Sequence, residues 1–117
     1  MKMFFYNNEL SLERIDENSF RKVLAYGDGL MNTLVVFEHG IPIGTNIVCH
    51  QHEHAQTTFV LQGRFEFMIQ YPDHIERNIV GCGDSIYFPS NYPHGCIPLE
   101  ADSRLLDSFN PIRQDFL

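Results

Sequence analysis

The chain has no CxxC pair, and its three cysteines, Cys49, Cys82 and Cys96, are odd in number. That argues against a disulfide framework and predicts buried free thiols. Cys49 and Cys96 lie close in sequence to His50 and His94, so soft metal ligation is a secondary role for them. No apolar run approaches the roughly 20 residues needed to cross a bilayer. The apolar start, Met1 to Tyr6, meets Asn7, Asn8 and Glu9 at once, which is too short for a secretory signal. A cytoplasmic location with no membrane partner is therefore expected. Positive charge is also scarce: 8 Lys and Arg stand against 15 Asp and Glu, for a formal net charge of −7. Such a chain repels phosphate backbones, which excludes nucleic acid as the expected partner. An anionic small molecule would need a local cation to hold it. Internal repeats, low-complexity tracts and linkers are absent as well. The 117 residues suit one domain, 1–117, large enough for a core without covalent staples.

Helical periodicity is weak. The best candidate runs from Glu9 to Ile15, two turns at most, with Ser11 as N-cap. Strand signals dominate instead: Phe20–Tyr26, Leu30–Glu38, Ile43–Gln51, Gln56–Gln62, Arg64–Tyr71, Ile75–Val80, Ser85–Phe88, His94–Pro98 and Ser103–Phe109. Turn clusters such as Gly27-Asp28-Gly29 and Gly81-Cys82-Gly83-Asp84 separate them. Within Arg64–Tyr71, Phe65, Phe67 and Ile69 fall on one face and Arg64, Glu66, Met68 and Gln70 on the other. About nine short strands with turns every eight to twelve residues predict an all-β sandwich or closed barrel, and closure removes exposed edges.

Three of the six histidines crowd into His50-Gln51-His52-Glu53-His54. Residues two apart on a strand share a face, so His50 and His52 can both aim into a barrel and chelate one divalent ion. Gln56 can add an oxygen and His94, after a Pro-rich loop, a further nitrogen. Burying two unpaired imidazoles is costly unless something binds them. The pair alone leaves a metal site and a satisfied structural role both open.

Gly44, His50, His52, Gln56 and Gly63 match the first cupin motif, G-x5-H-x-H-x3-E-x6-G, with Gln56 in place of the usual Glu. Gly83, Pro89 and His94 match the second, G-x5-P-x-G-x2-H-x3-N, with Asn91 for its second Gly and Pro98 for its Asn. The chain thus resembles the cupins. The resemblance implies a single-domain double-stranded β-helix, or jelly-roll barrel, with a divalent metal on His50, His52, Gln56 and His94. It places His54 outside the ligand set. Zinc, nickel, manganese and iron all suit such donors. A neutral Gln56 leaves the site one charge more positive than Glu would, which favours substrate polarisation over oxygen activation.

Near the C-terminus Asp107 and Phe109 share a face with Leu105, and Arg113 follows Pro111. A carboxylate between apolar inward residues must be paired, bound or functional. A salt bridge to Arg113 is the structural alternative for Asp107, core packing that for Phe109, and a solvated tail that for Arg113. The segments Phe4-Phe5, Arg21-Lys22-Val23-Leu24 and Asp107-Ser108-Phe109-Asn110-Pro111-x-Arg113-x-Asp115-Phe116-Leu117 are similar to those of the KdgF-type pectin-degradation cupins. These open the ring of 4,5-unsaturated uronates. The resemblance implies catalytic roles for Asp107, Phe109 and Arg113, with Gln56 among the metal ligands. It also implies an anionic sugar substrate, and by analogy a homodimer. A non-catalytic sugar or acid sensor is the alternative, followed by another metal-dependent isomerase or dioxygenase.

Overall fold

The computed structural model describes residues 1–117. Nine strands form two antiparallel sheets: β1 (Glu13–Arg14), β2 (Ser19–Tyr26), β3 (Met31–Phe37), β4 (Ala55–Gln62), β5 (Arg64–Gln70), β6 (Ile75–Gly81), β7 (Ser85–Phe88), β8 (His94–Pro98) and β9 (Arg104–Asn110). The larger sheet has the order β1-β2-β3-β9-β4-β7 and the smaller β6-β5-β8. They face each other as a jelly-roll barrel, the all-β class that strand spacing predicts. β4 shows the alternation plainly: Gln56, Thr58 and Val60 are buried, while Thr57, Phe59 and Leu61 face out.

Side-chain chemistry changes along the interior. At one end Val60, Phe65, Phe67, Phe88 and Leu105 form a dry core. At the other end the inward positions of the same strands are Gln56, Thr58 and Asp107. Strand pairing sets Thr33, Asp107 and Thr58 in one row across β3, β9 and β4. The turn from β4 to β5 needs Gly63, whose φ is +82° and where a Cβ would run into the Ser103 side chain.

Two expectations about secondary structure are corrected. Residues 9–15 form no helix: a single 3-10 turn occupies Asn7–Glu9, and Glu13–Arg14 pairs with β2 as a short edge strand. Pairing to a sheet edge satisfies backbone groups that so short a helix would leave half open. Residues 43–51 form no strand either, apart from one bridge between His50 and His94. This segment is a loop laid over the outer face of the small sheet. Ile47 packs with Met68 and Ile97 there in a second apolar cluster. Glu66 pins the loop by accepting from the Gly44 amide at 3.0 Å. Arg77 holds Glu66 at 3.0 Å and donates to the Thr45 carbonyl at 3.2 Å. The loop comes close because Gly95 has no side chain; a Cβ would collide with the Val48 carbonyl oxygen and Ile47. Both faces of β5 are therefore buried, so Glu66 and Met68 are covered rather than solvated.

The three cysteines are free. Cys82 is exposed, contrary to expectation, and Cys49 and Cys96 are half-buried. Cys82 sits on the β6–β7 turn, where its thiol donates to the Leu61 carbonyl at 3.2 Å. No helix is long and apolar enough to cross a membrane.

Candidate active site

The clamped loop delivers His50 and His52 to the polar end of the barrel. His50 pairs with His94 through both backbone bonds, at 2.9 and 3.0 Å. The His52 ring stands edge-on to His94, centroids 5.1 Å apart. A cavity of about 500 Å³ opens here, and His50, His52, Gln56 and His94 all line it. So do Asp107, Phe109 and Arg113, although they come from β9 and the tail beyond it. Long-range pairing of β9 with β4, Gln56 opposite Phe109 and Thr58 opposite Asp107, joins the two predicted groups into one site.

No three side chains of His, Cys, Asp or Glu converge closely enough here to form a metal cluster by themselves. The donors nevertheless have features that fit an ion. His94 Nδ1 lies 3.0 Å from the Tyr92 carbonyl, which orients the ring and leaves Nε2 uncommitted. His52 Nδ1 is buried without a partner. Burial first, then the charges of His94, Arg113 and His54, lower the His52 pKa to about 4, keeping the ring in its neutral, ligating form. Burial lowers that of His94 as well. Gln56 spends its amide N–H on Thr58 Oγ1 at 2.8 Å, which leaves its carbonyl oxygen as the free donor. His54 does not line the cavity; its Nε2 lies 3.2 Å from the Ile112 carbonyl. Cys96 does line it, but burial and the nearby Asp107 carboxylate push its thiol pKa far up, so a thiolate is disfavoured.

Thr58 passes the chain of hydrogen bonds on, donating to Asp107 Oδ1 at 2.6 Å. Burial raises the Asp107 pKa to about 6, against the lowering effect of bonds from Thr58 and Gln56. Asp107 does not pair with Arg113. The Arg113 guanidinium instead grips Asp115, Nε to Oδ1 at 3.1 Å and Nη2 to Oδ2 at 2.8 Å. Phe109 is buried with its ring 6.4 Å from that of His52.

Sequence reasoning missed Arg21, Thr33, Thr58 and Phe116, which line the same cavity. Parity held the signal for two of them: Thr58 follows Gln56 by two positions, and Arg21 follows Ser19, which also lines the cavity, by two. Phe116 carried no such signal, because a 3-10 turn at Gln114–Phe116 folds it back over the mouth.

The barrel, the clamped histidine loop and the polar end define a cupin architecture. Comparison with known proteins agrees: the Cupin domain family matches residues 37–108. The pectin degradation protein KdgF of Dickeya dadantii (strain 3937) is 36% identical, with 100% of each chain covered. The structure of KdgF from Halomonas sp. superposes with a TM-score of 0.84 at 33% identity over 100% of both chains. An RmlC-like cupin from Shewanella frigidimarina NCIMB 400 also scores 0.84, at 25% identity, covering 100% of this chain and 97% of that one. The chain belongs to the cupin family and, within it, to the KdgF proteins.

Proposed function

We propose that the protein opens the ring of 4,5-unsaturated uronates from pectin or alginate breakdown, giving the linear keto form. One observation carries this reading: Asp107, with a pKa raised to about 6, faces a cavity that also holds Phe109, Arg113 and the histidine–glutamine donor set. The 36% identity to a protein named for pectin degradation supports it.

The reaction is an isomerisation. The hemiacetal hydroxyl loses its proton, the bond from C1 to the ring oxygen breaks, and the resulting enol becomes a ketone by gaining a proton on carbon. A carboxyl group that titrates near neutrality exists in both forms there and can take the first proton and return it. Thr58 holds one Asp107 oxygen and so fixes the carboxyl group where it lines the cavity. Arg113 pairs with the substrate carboxylate through the guanidinium edge that Asp115 leaves free. The buried Phe109 ring packs against the sugar face. A divalent ion on His50, His52, Gln56 and His94 would polarise a substrate oxygen. The same reading makes the protein a cytoplasmic homodimer, with the exposed Phe4 and Tyr6 covered by a second copy.

The test follows the ultraviolet absorbance of an unsaturated uronate, corrected for its spontaneous opening. Protein loaded with zinc, nickel, manganese or iron should clear the absorbance well above the spontaneous rate. Only the spontaneous rate with all four metals would overturn the reading and leave a binding protein in its place.

A further inference from the structure

Four buried side-chain polar atoms lack a hydrogen-bond partner: Arg21 Nε, Thr33 Oγ1, His52 Nδ1 and His54 Nδ1. Arg21, Thr33 and His52 all line the same cavity. Buried orphan polar atoms are rare in folded chains and call for an explanation. A metal ligand role covers His52. Arg21 and Thr33 stand on another wall, diagonal to one another on β2 and β3, since Arg21 pairs with Val35 and Thr33 with Val23.

The contrast with Arg113 is informative. Arg113 has its charge balanced by Asp115. None of the chain's ion pairs includes Arg21. Glu13 stands opposite Arg21 in the β1–β2 register but forms no ion pair with it and does not line the cavity. Asp16, which does line the cavity, spends Oδ1 on the Asn18 amide and the Ser19 hydroxyl, both at 2.8 Å. What Arg21 does have is the Phe116 ring, 3.7 Å from guanidinium carbon to centroid. The same ring carries Arg113 at 4.3 Å. One phenyl ring thus holds two guanidinium groups at the cavity, one neutralised and one not. β2 and β9 are separated by β3 alone, so their axes lie about 10 Å apart, and Arg21 and Asp107 are offset by two register positions across them. Both line the one cavity of about 500 Å³.

We propose that Arg21 is a second carboxylate-binding residue of the site. It supplies the uncompensated positive charge, with the Thr33 hydroxyl beside it and the free edge of Arg113 completing the grip. The identity of the carboxylate as that of a uronate rests on the ring-opening reading above; the subsite itself does not.

The experiment uses the full chain, metal-loaded, as wild type, Arg21→Gln and Arg21→Lys. Each is titrated calorimetrically with galacturonate, which has no 4,5 double bond to react, and with neutral galactose; KM and kcat are measured on the unsaturated uronate. Arg21→Gln should weaken galacturonate binding about tenfold or more, as expected for charge-assisted hydrogen bonds. It should leave galactose binding unchanged and raise KM more than it lowers kcat. Arg21→Lys should recover part of the loss. Galacturonate binding unaltered in Arg21→Gln, or galactose binding equally damaged, overturns the proposal, the second outcome showing a merely structural role. A wild type that does not prefer galacturonate to galactose overturns it too. Arg21-dependent binding without turnover above the spontaneous rate keeps the subsite and removes the ring-opening reading.

Discussion

The two ends of the barrel interior are built from the same strands and do opposite work. At the dry end Val60, Phe65, Phe67, Phe88 and Leu105 leave nothing polar to satisfy. At the wet end Gln56, Thr58 and Asp107 sit one or two inward positions further along β4 and β9. Burying those polar groups costs free energy, which is offset only in part by the Gln56–Thr58–Asp107 chain of hydrogen bonds. Thr33 Oγ1 and His52 Nδ1 stay unpartnered there. One end is a closed apolar core, and the other keeps unsatisfied polar groups at the cavity.

The sharpest separation should come from paired substitutions. Asp107→Asn keeps the shape of the wet end but cannot move a proton; turnover should fall by about 10² to 10⁴. The melting temperature should hold or rise, and a large drop would show that Asp107 is structural. Phe65→Ala at the dry end should do the reverse, costing about 3–5 kcal/mol of stability in denaturant titration because a fully buried ring leaves a cavity. A loss under 1 kcal/mol would mean that the end collapses freely and is not the stabilising one.

Metal content tests the donors apart from turnover. His50→Ala and His94→Ala should each lose most bound metal by elemental analysis while still folding, since each removes one ligand of four. Stoichiometric metal in both variants would refute the ligand set.

The smallest effect compares two acids that the barrel treats oppositely. In metal-free protein Asp107 has a pKa of about 6, above its ordinary value of 3.8. The folded state then binds the proton more tightly than the unfolded one, so this contribution to stability is lost as pH rises from about 4 to about 6. Glu66 is held below its ordinary value, first by the Arg77 hydrogen bonds and then by the Gly44 amide. Its contribution is present above the ordinary carboxylate range and lost as pH falls below it. Stability curves against pH should therefore show a shallower acid-side fall in Glu66→Gln, and Asp107→Asn should lose the fall between about pH 4 and 6. Identical curves in wild type and both variants would contradict the two assignments.

Much of this was legible in the chain because strand periodicity is local. Alternation of apolar and polar residues, with glycine and proline turns between, is enough to place eight of the strands that form, and the inward parity of Asp107 and Phe109 is read from Leu105 alone. The motif spacing named the four candidate donors, and the fold brings all of them to one cavity. The failures share one cause. Residues 43–51 carry strand-like composition, yet they pair with the edge strand β8 only at His50. The Glu66–Arg77 clamp and the missing side chain of Gly95 hold them as a loop over the outer face of the small sheet instead. Likewise, sequence sets Arg113 in the site, but only the folded tail decides that Asp115 occupies it while Arg21, far away in the chain, keeps its charge uncompensated. Periodicity fixes which way a side chain points; which charge meets which depends on contacts between residues distant in sequence, and those exist only once the sheets have closed.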